Sequence, residues 1–119
     1  MRIKQLTFRN KKVTNKTEIE KIIHSKFDWL NKAEIENATI TIKGDVIIWE
    51  NGVWYYGDSY FDVWKNGIFK YGTFNDGIWK GGEFVDGIFN GIWEHGIKKG
   101  GQFDLNENKI FTFSEYNKK

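Results

Sequence analysis

The stretch Gly67-Ile68-Phe69-Lys70-Tyr71-Gly72-Thr73-Phe74-Asn75-Asp76-Gly77-Ile78-Trp79-Lys80-Gly81-Gly82-Glu83-Phe84-Val85-Asp86-Gly87-Ile88-Phe89 decides the fold. It repeats a five-residue unit: glycine, a variable residue, an aromatic, then two more. Followed outward, the large residue falls at Trp49, Trp54, Trp64, Phe69, Phe74, Trp79, Phe84 and Phe89. A single deletion at Asn90-Gly91 resets the count to Trp93 and Phe103, with Lys98 in the slot between them. Ser59 stands in the other slot that lacks a ring. A short fixed period over half a chain marks a stacked or meandering β architecture.

Upstream, Ala33-Glu34-Ile35 and Ala38-Thr39-Ile40 show the same period, with Ala two residues before Ile. The repeat therefore reads as residues 33–103. One residue is dropped near Gly44-Asp45, and Val46 to Trp49 is a β-type run. Before the repeat, Ile3 to Phe8 predicts a short strand, followed by a polar turn at Arg9 to Lys12. Thr17-Glu18-Ile19-Glu20 carries the capping-box pattern, and Ile19, Ile22, Ile23 and Phe27 follow at helical spacing. This predicts a helix from about Glu18 to Lys26, with Leu30 continuing the pattern. Residues 1–32 thus form a strand-and-helix cap. Residues 104–119 hold a polar segment, one last strand at Ile110 to Phe113 and a frayed end.

The 119 residues suffice for one compact domain. With no cysteine, disulfides and thiolate zinc sites are excluded; with no proline, glycine must make the turns. Leucine occurs only at positions 6, 30 and 105, so the core is expected to be Phe, Trp and Ile. No apolar run is long enough to span a membrane, and no signal-peptide stretch follows Met1, which gives an expectation of a cytoplasmic protein. Residues 1–32 hold nine Lys/Arg against three Asp/Glu, whereas residues 33–119 hold nine against thirteen. The head is basic and the body mildly acidic.

Two architectures share this period. In a β-solenoid, each pentad would form one side of a four-sided coil, with the aromatic and the residue two before it pointing inward. A ring beside glycine and Ile beside Ala would fill similar volumes. Here the chain resembles the pentapeptide-repeat family, whose units pair a small residue with a large one two positions on. It departs from that family in placing Trp at inward slots and Ile before the aromatic. The rival is an antiparallel β-meander. Asn66-Gly67, Asp76-Gly77 and Asp86-Gly87 are hairpin signals, and Tyr71-Gly72-Thr73-Phe74-Asn75-Asp76-Gly77 is similar to the core of a MORN repeat. Three-residue strands in such a meander would bury little alone. The expectation is a mainly β fold: a five-residue-repeat β-solenoid with an N-terminal cap.

Chemistry is sparse. His24 and His95 have no partner at metal-ligand spacing, and Asp58 and Asp62 read as turn residues rather than paired catalytic carboxylates. Gly81-Gly82 and Gly100-Gly101 open no helix, so no phosphate loop is signalled. The chain is expected to be no enzyme and to use neither cofactor nor metal. The irregular stretch around Ser59 concentrates tyrosines, and local rules fail most often at functional or strained sites. Tyr55, Tyr56, Asp58, Tyr60, Phe61, Asp62 and Trp64 are therefore the candidate binding residues. Ile68, Ile78, Ile88, Ile92 and Ile97 are candidates for self-association.

The leading expectation is a module for protein–protein interaction or structural assembly. Glycan or cell-wall binding is the alternative, since Asn51-Gly52-Val53-Trp54-Tyr55-Tyr56 is similar to the start of a choline-binding repeat. DNA binding or mimicry is the third, and nucleic acid is the least expected partner. Similar aromatic-glycine repeats in phage and bacterial proteins imply a virion component or host-factor inhibitor.

Overall fold

The computed structural model describes residues 2–104 and 110–112. The N-terminal cap comprises β1 (Ile3–Phe8), β2 (Lys11–Val13), α1 (Lys16–Lys26), α2 (Asp28–Asn31) and β3 (Glu34–Lys43). The fold then becomes a β-solenoid of about four turns. The first coil is built from β4 (Val46–Tyr56) and β5 (Asp58–Ser59). β6 (Val63–Trp64), β7 (Ile68–Phe69), β8 (Thr73–Trp79), β9 (Glu83–Phe84), β10 (Ile88–Trp93), β11 (Ile97–Lys98) and β12 (Gln102–Asp104) continue it, and β13 (Ile110–Thr112) pairs antiparallel with β12.

The coil has three sides, not the expected four. Trp49 pairs in parallel with Trp64, and Trp64 with Trp79, fifteen residues on each time. On the second side Trp54 meets Phe69, then Phe84, then Lys98. On the third, Ser59 meets Phe74, then Phe89, then Phe103. Trp93 meets Trp79 after the register shift that follows Asn90, so the deletion read at Asn90-Gly91 shortens one side without moving its ring out of the column.

Three rings fill a triangular lumen better than they would a square one, and their geometry shows why. Within a coil they meet edge to face: Trp79 to Phe84 at 5.8 Å and 79°, Phe84 to Phe89 at 5.7 Å and 90°, Trp79 to Phe89 at 6.2 Å and 82°. Between coils they stack: Trp64 on Trp79 at 4.7 Å and 8°, Phe69 on Phe84 at 4.9 Å and 11°, Phe74 on Phe89 at 5.0 Å and 2°. Both arrangements suit the aromatic quadrupole, and each pair adds about 0.5–1.5 kcal/mol beyond its buried area. All these rings are fully buried.

Some glycines turn the corners, while buried Gly77 and Gly91 lie inside strands against the Phe74 ring, as expected of a small inward residue. Gly72 has φ +126, and a Cβ there would fall on the carbonyl oxygen of Gly57 in the coil below. Gly87 repeats this over Gly72 at φ +115. Glycine is needed because the backbone is left-handed and the next coil lies too close for a side chain. The Asn66-Gly67 and Asp86-Gly87 signals thus mark corners between parallel rungs, while at Asp76-Gly77, inside β8, Asp76 rather than the glycine has positive φ, at 60. The antiparallel meander is not adopted there.

The alanine–isoleucine pentads behave differently from the rest. β3 runs antiparallel to β4, placing Ile40 opposite Trp49 and Ile35 opposite Trp54. These pentads cover the first coil instead of forming one, and the parallel coils begin at β4. β1 lies parallel to β3, with Leu6 beside Ile40 and Phe8 beside Ile42. Ile19, Ile23 and Leu30 close this end over the sheet. The helix starts at Lys16, with Asn15 as N-cap: Glu18 N–H donates to Asn15 Oδ1 at 3.0 Å. Asn caps at least as well as Thr, so Thr17 lies inside the helix rather than at its cap. Of the turn read at Arg9 to Lys12, only Arg9 and Asn10 form the turn; Lys11 and Lys12 belong to β2, which pairs back on β1. Phe113 and the frayed end lie outside the described residues.

Candidate functional site: a tyrosine-lined cleft

The solenoid sorts its aromatics by chemistry. Phe and Trp fill the columns, while Tyr55, Tyr56, Tyr60 and Tyr71 are all exposed. A phenol hydroxyl is solvated on the surface, whereas burying it costs free energy unless it is hydrogen-bonded. Three of the four meet where the cap joins the first two coils.

There, Trp29, Lys32, Tyr56, Gly57, Asp58 and Tyr60 line a cleft of about 370 Å³. Trp29, from α2, stands edge-on to Tyr60 at 5.6 Å and 70°. Tyr56 stacks on Tyr71, its counterpart one coil on, at 5.8 Å and 8°. Tyr56 and Asp58 also border a smaller groove of about 190 Å³ with Tyr71, Thr73 and Ile88, so the two hollows share a wall. Lys32 Nζ lies 3.6 Å from Asp28 Oδ2 in an exposed pair. The combined surface offers flat rings, phenol hydroxyls and one carboxylate, Asp58.

Of the seven sequence-derived candidates, Tyr56, Asp58 and Tyr60 come together here. Tyr55 is elsewhere: its hydroxyl donates to Glu36 Oε2 at 3.2 Å beside a separate hollow that includes Arg2 and Ala33. The Glu36 carboxylate raises the Tyr55 pKa, first through this bond and then through its charge. Asp62 is a corner residue, accepting from Ile47 N–H at 2.8 Å. Phe61 and Trp64 are core, 1% and 0% exposed, and present nothing to a partner.

The break at Ser59 is structural in origin. Ser59 points inward and is fully buried, its hydroxyl donating to Thr73 O at 3.3 Å. Phe61 supplies the missing ring, edge-on to Trp49 at 5.3 Å and to Trp54 at 5.7 Å. This two-residue displacement leaves Tyr60 on the outside beside Trp29.

The five isoleucines do not share a surface. Ile78 and Ile92 lie on the first side, Ile68 and Ile97 on the second, and Ile88 on the third. The first side does carry an aliphatic column, Ile48, Val63, Ile78 and Ile92. It is about 16 Å across and four rungs high, on the order of 300 Å², against about 800 Å² per partner in a stable interface. Beside it Lys65 pairs with Glu50 at 3.1 Å and Lys80 with Glu94 at 3.2 Å, which neutralises that face.

Trp29, Lys32 and Tyr71 were missed by the sequence reading. Tyr71 was findable, because it stands fifteen residues after Tyr56, but only on a three-sided coil. Among the described residues no helix is long and apolar enough to cross a membrane, and no group of three potential metal ligands occurs. No protein-family model, curated protein or solved structure matched this chain.

Proposed function

We propose that this chain is a non-catalytic interaction module in which a rigid aromatic solenoid holds a tyrosine-lined cleft for a protein partner. The carrying observation is that exposed Tyr56 and Tyr60 line a cleft with Trp29 while exposed Tyr71 stacks on Tyr56, on a fold whose lumen is filled by Phe and Trp rings. Tyrosine gives large contact area at small entropic cost and is enriched where proteins meet. Tyr56 and Tyr71 spend one face each on their mutual stack, which halves the ring face left open. That suits a peptide surface better than a sugar, which wants an open ring face. Ile88, exposed at the end of the groove, adds an apolar anchor.

The test places a photo-reactive residue at position 73, beside the cleft, in protein expressed in its native host. A partner cross-linked there is then purified and titrated against the wild type and against Tyr56→Ser/Tyr60→Ser/Tyr71→Ser. The reading expects at least a tenfold loss of affinity in the triple variant, with its fold retained by circular dichroism. Unchanged affinity sinks it. So does a cleft that cross-links no protein but answers sugars through Trp fluorescence, which would favour glycan binding.

A further inference from the structure

The far end of the cap carries a second feature, independent of the cleft. β1 and β2 are joined by Arg9-Asn10, and both residues are left-handed, with φ 53 and 65. A tight hairpin of this kind favours Asn-Gly, so a long cationic side chain at its first central position is unusual. Strained positions of this sort concentrate at functional sites.

Other cations gather around that turn. The Arg9 guanidinium lies 5.1 Å from the Phe8 ring centre and Lys26 Nζ lies 5.5 Å from it. Lys11 is directly opposite Phe8 on β2, with Lys12 next to it. Lys43 follows Ile42, the partner of Phe8 on β3. The helix dipole accounts for Lys26 in the last turn of α1, but not for Arg9, Lys11 or Lys12. Asp45, in the β3–β4 turn, is the carboxylate closest in sequence to Lys43. None of these five cations enters an ion pair among the described residues, whereas three lysines of the solenoid do: Lys65 with Glu50, Lys80 with Glu94 and Lys99 with Glu83.

We infer that this hairpin tip is a binding surface for the phosphate backbone of a nucleic acid. An acidic protein is the poorer fit. Protein interfaces are built on aromatic or aliphatic anchors and are depleted in lysine. Here the one aromatic, Phe8, already holds Arg9 and Lys26 against its ring. What remains for a partner is cationic charge beside one exposed valine, Val46, which pairs with Lys43 across the β3–β4 turn; a surface dominated by cations is the composition that neutralises phosphates. The cation–aromatic contacts fix two of the charges in place before binding.

The test is fluorescence anisotropy with short labelled DNA duplexes and single strands, using the full chain. Binding through about four phosphates should weaken about a hundredfold between about 50 and about 200 mM salt. Replacing Arg9, Lys11, Lys12 and Lys26 together by Gln should weaken low-salt binding at least tenfold. Replacing Lys65 and Lys80 by Gln should not, and circular dichroism verifies that both variants fold. Absence of binding at low salt overturns the proposal, as does equal weakening by the solenoid variant. Tighter binding of polyglutamate than of either nucleic acid would also overturn it, in favour of an acidic protein.

Discussion

Phe61 meets Trp29 edge to face, with 4.9 Å between ring centres and 85° between planes. One ring thus completes the aromatic triad of the first coil and fastens the cap to it. Truncating Phe61 to Ala should cost about 3–5 kcal/mol, as for other buried aromatics. Ser59→Phe alone should overpack the same space and cost about 1–3 kcal/mol. Combined, the two should recover at least about 1 kcal/mol relative to their sum, because the new ring enters the vacated volume. Denaturant unfolding of the four proteins measures this coupling; additive losses would mean that Phe61 does not stand in for the missing column residue.

Trp64 is stacked on both sides, at 4.7 Å from Trp49 and 4.7 Å from Trp79. Its indole N–H is buried without an acceptor, as are those of Trp49 and Trp79. Each such donor costs about 1–3 kcal/mol. Trp64→Phe removes that cost while losing some stacking and burial, so the two effects oppose. The expected net loss is below about 2 kcal/mol, against about 3–5 kcal/mol for Trp64→Ala. Equal losses in thermal unfolding would show that the N–H contributes through a partner after all.

Gly72 and Gly44 both have positive φ, but they differ in surroundings. A Cβ at Gly44 meets nothing within 4 Å, whereas at Gly72 it strikes the carbonyl of Gly57. Gly44→Ala should cost about 1–2 kcal/mol from backbone conformation alone. Gly72→Ala should cost clearly more, since two coils must part, and it should reduce cooperativity. The comparison is made by urea denaturation, and similar midpoints for the two variants would contradict the close stacking at the corner.

Tyr55 donates to Glu36, whose carboxylate raises its pKa above the ordinary 10.0. Proton linkage fixes the sign. Stability from this bond is present below the unfolded phenol's value and is lost as pH rises through the higher folded value. Ultraviolet titration should therefore find a phenol ionising above the ordinary 10.0, and Glu36→Gln should lower it toward that value. A titration curve unchanged by Glu36→Gln would count against the bond.

The period of five was legible because it is a covalent regularity that packing must respect. The number of sides was not. A five-residue side with a small corner residue can close either a square or a triangle, and the choice rests on how rings meet across the lumen. That choice decides which residues are neighbours. On four sides Tyr56 would lie over Asp76; on three it lies over Tyr71, and the cleft exists. The hairpin reading of Asp86-Gly87 failed for a related reason, because a left-handed glycine serves a corner as well as a reversal. At Ser59 the sequence marked the irregular segment but not its division, in which Phe61 and Trp64 go inward while Tyr56 and Tyr60 stay out.

The column Trp49, Trp64, Trp79 and Trp93 brings four indoles nearly parallel, at 4.7, 4.7 and 5.2 Å between successive centres. Chromophores held so close share their electronic excitation rather than absorb independently. The coupling depends on separation and angle, the two quantities that coil stacking fixes. The interior of the solenoid is therefore its own optical gauge: its near-ultraviolet dichroism reports the spacing of its coils without any label.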